Sequence, residues 1–246
     1  MESLRAQIGN IILLVAVLAV IAVAIMMLGA RFNLWLPIVG FGLVRQYMNP
    51  LGYAVLALGA LGGLYHLFAA NRKGMVKTIL AALMGVGLLL PMIIATISPP
   101  PRVPPIHDIT TNTQTPPEFL VLDDTREGAR NSLAYSGPEV AAMQHQAYPD
   151  IGPIMASTTP EQAFQKALSV AKDMNWTIVA EDSQAYRFEA SAKTSLYQFV
   201  DDVVVVVSPT ENQVRVDIRS VSRIGRSDRG VNAARIRAFV SAFNQG

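Results

Sequence analysis

Histidine and aspartate are the side chains of this sequence that could perform acid–base or metal chemistry. His107 and Asp108 are adjacent, and Asp201 and Asp202 form a second acidic pair. If they converged, they could act as general acid and base or bind a hard metal ion. However, Asp201 and Asp202 are neighbours in a predicted strand and so point to opposite faces of a sheet, and His107 has no partner at metal-site spacing. These four residues are therefore weak catalytic candidates, and the sequence favours a protein that is not an enzyme and that has no metal or cofactor.

A second candidate is an arginine-rich segment that runs from a predicted strand into a predicted helix. Residues 213–246 contain seven arginines against two aspartates, a net charge of +5, whereas residues 99–212 have a net charge of −8. Guanidinium groups bind carboxylates and phosphates through paired hydrogen bonds, and a helix N-terminus adds free N–H donors. We therefore predict a ligand- or partner-binding site at Arg219, Arg223, Arg226, Ser227, Asp228, Asn232 and Arg235.

Two alternatives remain open for this segment. Ser227 or Asp228 could simply cap the helix, because Gly225 and Gly230 match neither the phosphate-loop nor the dinucleotide-binding spacing. The arginines could also pair with acidic residues of the same chain, of which the sequence offers Asp108, Asp123, Asp124 and Asp150.

The elements that position these residues form an α+β domain. Thr159, Pro160 and Glu161 are typical of a helix start, and apolar residues follow at helical spacing up to Asp173. Four strands are predicted at residues 176–180, 186–191, 200–207 and 213–221, and a last helix begins near residue 227 or 228. The prediction is a two-layer domain at residues 159–246, with a four-stranded, mainly antiparallel sheet and two helices. Residues 99–158 form a proline-rich junction and an extended arm that we expect to pack against this domain.

The first 98 residues are apolar and have a net charge of +5. They contain three segments long enough to cross a bilayer, at about 8–28, 51–70 and 76–97, so residues 1–98 are predicted to be a membrane domain. The apolar stretch 34–44 is too short to span and is expected at the membrane interface. Gly59 and Gly63 lie four residues apart, which permits close helix packing, either within this chain or with a membrane protein partner or second copy. His66, inside the second span, is interpreted as an interfacial hydrogen-bonding residue.

The short loops predict the orientation of the chain. Arg72, Lys73 and Lys77, with Arg5 near the N-terminus, outnumber Arg31 and Arg45 on the other side. Cytoplasmic loops are enriched in Lys and Arg, so we expect a multi-pass protein of the bacterial inner membrane whose C-terminal domain is periplasmic. That location argues against nucleic acid as a partner, and the absence of cysteine suits it without proving it.

Several short motifs of the soluble half resemble those of the domain of unknown function 1499 family, in its membrane-anchored form. They are Pro104 to Thr111, Pro116-Pro117 with Phe119, Tyr148 to Ile151, Asp201 to Val203, and Arg219 to Asp228 followed by Asn232 and Arg235-Ile236. The resemblance covers residues 103–243 and implies a bacterial envelope domain without an assigned reaction. Some family members carry a cysteine early in the domain, and any role tied to it does not transfer to this chain.

From these features we expect a membrane-anchored extracytoplasmic binding or assembly module of the cell envelope. Its arginine-rich junction would contact an acidic group of a lipid, a glycan or a protein. The alternatives are an envelope hydrolase that uses His107 and the aspartates, and a structural subunit of a larger membrane complex.

Overall fold

The computed structural model describes the backbone of residues 2–245 and the side chains of residues 7–245, so the side chain of Arg5 lies outside it. The chain divides into two compact units. One contains the residues up to 101 together with 195–198, and the other contains residues 102–194 and those from 199 onward.

The first unit contains three helices that are long and apolar enough to cross a membrane. These are α1 (Glu2–Leu28), α2 (Pro37–Phe68) and α3 (Arg72–Ile97), with a 3-10 turn at Gly29–Phe32 after α1. One boundary was predicted wrongly, because residues 37–44 belong to α2 and not to a separate interfacial segment. Pro37 occupies the first turn of α2, where a missing N–H costs nothing, and the helix continues through Pro50.

Small residues bring the three helices together. A Cβ at Gly59 would lie 2.5 Å from the backbone nitrogen of Ala82 on α3, whereas Gly63 has only Thr78 Oγ1 nearby at 3.6 Å. Gly59 therefore packs α2 against α3 of the same chain. The expected hydrogen-bonding role of His66 is not seen. Its ring is 1% exposed, and neither ring nitrogen has a hydrogen-bond partner among the described side chains.

The second unit is an α+β domain built on a six-stranded antiparallel sheet. Its elements are β1 (Asp108–Thr110), α4 (Pro138–Ala147), β2 (Ile154–Ala156), α5 (Pro160–Asp173), β3 (Thr177–Asp182), β4 (Arg187–Lys193), β5 (Val200–Pro209), β6 (Val214–Ser222) and α6 (Val231–Gln245). The strand order is β1-β6-β5-β4-β3, and β2 also pairs with β6. The sheet has six strands and not four because the arm contributes β1 and β2, and the arm also adds a third helix, α4.

Helices α5 and α6 cover one face of this sheet. Thr159 and Gln162 form a reciprocal capping box that starts α5, and its Phe164 is fully buried. Phe239 of α6 stacks on Trp176 with ring centroids 5.5 Å apart. The alternating valines of β5, residues 203, 205 and 207, complete this core. Because side chains alternate along a strand, Asp202, Val204 and Val206 of β5 point to the opposite face.

Candidate binding site

The opposite face of the sheet carries a buried ion pair between Arg219 of β6 and Asp108 of β1. Nε donates to Oδ1 at 3.0 Å and Nη2 to Oδ2 at 2.7 Å. The guanidinium also donates to the backbone carbonyls of Pro117 at 3.1 Å and Leu133 at 2.7 Å. Arg219 is 2% exposed and Asp108 is 4% exposed, so the arm seals this pair from water. Both groups are neutralised within the chain.

A second buried carboxylate, Asp202 of β5, joins two arginines. Arg126 of the arm donates to it from Nε at 2.6 Å, and Arg223 donates from Nη2 at 2.8 Å. Ser191 of β4 adds a hydroxyl hydrogen bond at 2.9 Å. Asp202 is completely buried, and each positive charge near it comes from a different segment. The carboxylate therefore ties the arm, β4 and β6 to β5.

Glu189 of β4 holds the arm through its backbone. Its two carboxylate oxygens accept the N–H groups of Leu120, Val121 and Leu122 at 2.5 to 3.2 Å. Glu189 is 1% exposed, and the nearest cation is Arg187 at 3.4 Å. Hydrogen bonds from backbone N–H groups to a carboxylate are stronger than those between neutral groups. Residues 120–122 are therefore bound to the sheet although their own side chains are partly or fully exposed.

The helix-covered face carries a separate polar cluster at the start of α6. Arg235 donates to Asp201 at 2.5 Å, and Asn232 accepts from Ser220 at 2.8 Å. Asp228 accepts the N–H groups of Gly230 and Asn232, which is the expected capping role. Burial raises the pKa of Asp228 above its usual value, against the lowering effect of these two hydrogen bonds.

The predicted arginine cluster therefore separates into two groups. Arg219, Arg223 and Arg235 are engaged with Asp108, Asp202 and Asp201. The alternative of pairing within the chain describes these three arginines, and the aspartates come from β5 as well as from the arm. Ser227 donates its hydroxyl to the carbonyl of Pro104 at 3.1 Å, and Asn232 is fully buried. The remaining predicted residue is Arg226.

Arg226 belongs to an exposed edge of the domain, which we call the basic edge and define as Arg102, Arg130 and Arg226. All three are exposed, and within residues 7–245 none of the three guanidinium groups has a hydrogen-bond or ion-pair partner. The backbone N–H of Arg130 donates to the carbonyl of Arg223 at 2.7 Å, and Ser227 contacts the carbonyl of Pro104. These bonds bring the three segments that carry the basic edge together.

The structure divides the weak catalytic candidates between the two faces of the sheet. Asp108 and Asp202 are both register partners of Val221, so they share the arm-covered face two strands apart. Asp201 is the partner of Ser222 on the helix-covered face, and the N–H of Ser222 donates to the carbonyl of His107. Each of the three carboxylates is paired with arginine. Among the side chains of residues 7–245, no cluster of three or more metal-ligating groups is found.

Sequence reasoning missed Arg126 and Glu189 as site residues. Arg126 and Glu189 are isolated charges in the sequence, and only the fold brings them to partners more than 60 residues away. The alternation of charged and apolar residues in β4 does show that Glu189 and Arg187 share a face. No sequence signal indicates that Glu189 is covered by the arm.

The chain matches a known protein family. A family model described as "Protein of unknown function (DUF1499)" matches residues 108–243, which is more than half of the chain. No curated protein matches the chain. The matched region begins at Asp108, the partner of Arg219, and includes the whole ion-pair network described above.

Proposed function

We propose that the chain, which belongs to the DUF1499 family of proteins of unknown function, is a membrane-anchored binding module of the bacterial inner membrane. In this proposal the soluble domain is periplasmic and contacts anionic lipid headgroups through the basic edge. The observation that carries the proposal is the contrast between Arg219, Arg223 and Arg235, which are paired within the chain, and the three exposed arginines of the basic edge, which are not.

Unpaired arginines near a membrane are suited to phosphate groups. A guanidinium forms paired hydrogen bonds with phosphate, and each Lys or Arg close to an anionic surface contributes about 1 kcal/mol. Arg102 follows Ile97, the last residue of α3, by five residues. Five extended residues cover at most about 18 Å, so the covalent connection alone keeps Arg102 close to the end of a membrane-crossing helix. This position favours a lipid headgroup over a distant protein or glycan.

The lipid contact can be tested with the full-length chain. The protein is reconstituted in nanodiscs of phosphatidylcholine with phosphatidylglycerol, re-extracted, and analysed by mass spectrometry for the lipids that remain bound. We expect phosphatidylglycerol to be enriched over phosphatidylcholine. Two arginines at about 1 kcal/mol each predict that R130Q/R226Q lowers this enrichment by roughly tenfold or more.

The matched control is K166Q/K172Q, which removes the same charge from α5. Lys172 is exposed and Lys166 is half-buried over the Phe243 ring. If the control lowers the enrichment as much as R130Q/R226Q does, the effect is one of net charge and the basic edge is not the site. If the wild type retains both lipids equally, the lipid proposal fails. A protein or glycan retained instead would replace lipid as the partner.

The orientation is tested separately, because the chain contains no cysteine and a single introduced one is a unique label. Ser183 is exposed between β3 and β4, and Ala70 is exposed between α2 and α3. We expect a membrane-impermeant maleimide to label S183C in intact spheroplasts, and to label A70C only after permeabilisation. The reverse pattern would place the domain in the cytoplasm.

A further inference from the structure

The outer side of the arm forms a half-open cleft with a volume of about 460 Å³, directly above Arg219. Small-molecule sites occupy roughly 300 to 1,000 Å³ and combine apolar walls with a few convergent polar groups. Here the aromatic walls are Phe119 and Tyr135, whose ring centroids lie 5.5 Å and 5.4 Å from the Arg219 guanidinium carbon. The cleft is therefore separate from the basic edge and has its own lining.

The floor of the cleft holds two hydrogen-bond donors without acceptors. The Tyr135 hydroxyl is buried and has no hydrogen-bond partner among the described residues. Arg219 has five N–H groups, of which four are used by Asp108, Pro117 and Leu133, and one on Nη1 remains. Burial raises the pKa of Tyr135 to about 12, so the hydroxyl keeps its proton at neutral pH. A buried polar group without a partner is costly, and an acceptor oxygen of a ligand would satisfy both donors.

The rim of the cleft carries hydrogen-bond acceptors and negative charge. Glu118 is exposed, and its carboxylate has no partner within the described part of the chain. Asp123 uses only Oδ1, which accepts from the N–H and hydroxyl of Thr125 at 2.8 and 2.6 Å. Asp124 accepts from Ser132 and from the Leu133 N–H, which fixes the loop that carries Tyr135. Since Asp108 already neutralises Arg219, the lining as a whole is anionic.

We propose that this cleft binds an amino sugar, with a hexosamine ring packed on Phe119. A ring hydroxyl oxygen would accept from Tyr135 and Arg219, and the amine would face the carboxylates of Glu118 and Asp123. The aromatic wall of the cleft matches the apolar face of a sugar ring. The hydrogen-bond donors on its floor and the acceptors on its rim match the hydroxyl groups around the edge of that ring. The anionic rim selects an amine over a carboxylate on that ring. This proposal does not depend on the lipid contact.

The test uses the full-length protein in a detergent without a sugar headgroup and without anionic lipid. Ligand-observed NMR titrations are recorded with glucosamine, N-acetylglucosamine and glucuronate. We expect saturable glucosamine binding in the millimolar range, as is usual for a ligand of this size on an open site. N-acetylglucosamine should bind roughly fivefold more weakly because it lacks the charge, and glucuronate should not compete.

Two variants identify the groups that act. E118Q/D123N should weaken glucosamine about tenfold while changing N-acetylglucosamine by less than about twofold, because only the former carries the amine charge. Y135F should weaken both sugars roughly fivefold. Y148F is the matched control, because Tyr148 also has a buried hydroxyl without a described partner but does not line this cleft. It should leave both affinities unchanged.

Three outcomes would overturn the proposal. Glucosamine that shows no saturation up to roughly 50 mM would exclude a site of the expected strength. Glucuronate that binds as tightly as glucosamine would contradict the role of the anionic rim. Nα-acetyl-lysine amide that binds as tightly as glucosamine would show that the cleft recognises a basic peptide side chain and not a sugar.

Discussion

Replacing Asp108 with asparagine should destabilise the soluble domain strongly, because it leaves the Arg219 guanidinium buried without a counter-charge. Arg219 is 2% exposed and donates two of its four hydrogen bonds to this carboxylate. Removing one partner of a buried ion pair costs about 3 to 5 kcal/mol. The asparagine oxygen still accepts one N–H, so we expect a loss near the lower end, about 3 kcal/mol.

The double variant D108N/R219M separates the cost of a buried charge from the value of the pair. Arg219→Met alone should lower the free energy of unfolding more than D108N does. It leaves the Asp108 carboxylate and the carbonyls of Pro117 and Leu133 without a hydrogen-bond donor. In the double variant no uncompensated charge remains, and the loss is that of the two carbonyls and the Asn amide introduced at 108, about 1 to 3 kcal/mol each. We expect the two single losses to exceed the double loss by about 3 kcal/mol.

Urea unfolding of the full-length protein in detergent measures these values. Trp176 is 7% exposed and stacked on Phe239, so its fluorescence reports the soluble domain, and a W35F background removes the chain's other tryptophan. Asp173→Asn, on an exposed position at the end of α5, should change the free energy of unfolding by less than about 0.5 kcal/mol. Strictly additive losses, or a D108N variant as stable as the control, would refute the reasoning.

Three further predictions follow from other contacts. Burial raises the pKa of Asp228 above 3.8 in the folded state, so the folded chain binds this proton more tightly. The contribution of Asp228 to stability therefore falls as the pH rises from 3.8 through the pKa of the folded state. Asp228→Asn should gain stability relative to wild type as the pH is raised above 3.8 in urea titrations, and parallel curves would contradict this. Glu189→Gln should speed hydrogen exchange at the amides of residues 120–122 about tenfold by mass spectrometry, with exchange in α5 as the unchanged reference. Gly59→Val should lower the melting temperature of the membrane unit, because its first added atom would lie 2.5 Å from a backbone nitrogen, whereas Gly87→Val has open space and should not.

The sequence predicted the parts of the fold that have a clear hydrophobic period. Helix α5 begins at the proline after Thr159, as expected, and the four predicted strands correspond to β3 to β6. The strands β1 and β2 have only three residues each, which is too short for a periodic signal, so the prediction missed them. The start of α6 at Val231 lies three residues after the predicted cap at Asp228, because residues 228–230 form a turn.

The site was only partly predictable, for a physical reason. The sequence showed an excess of arginine but could not show which arginines are paired, since Asp108 and Arg219 are 111 residues apart. The same residue types serve a ligand or an internal ion pair, and burial decides between them. Arg219 and Arg226 illustrate this, because both belonged to one predicted site and only Arg226 is exposed.

The ion pairs also decide where a function of this domain can be located. If the arm moved away from the sheet, Arg219 would lose Asp108, Asp202 would lose Arg126, and Glu189 would lose the backbone N–H groups it accepts. Each of these buried charges is costly to leave unpaired. The arm is therefore a fixed part of the domain, and the carboxylates of Asp108, Asp202 and Glu189 beneath it are not accessible to a partner. A ligand can reach the outer side of the arm and the exposed edges of the domain. Because the arm-covered face is closed in this way, the basic edge and the cleft above Arg219 are the surfaces on which substitutions should change binding without first changing stability.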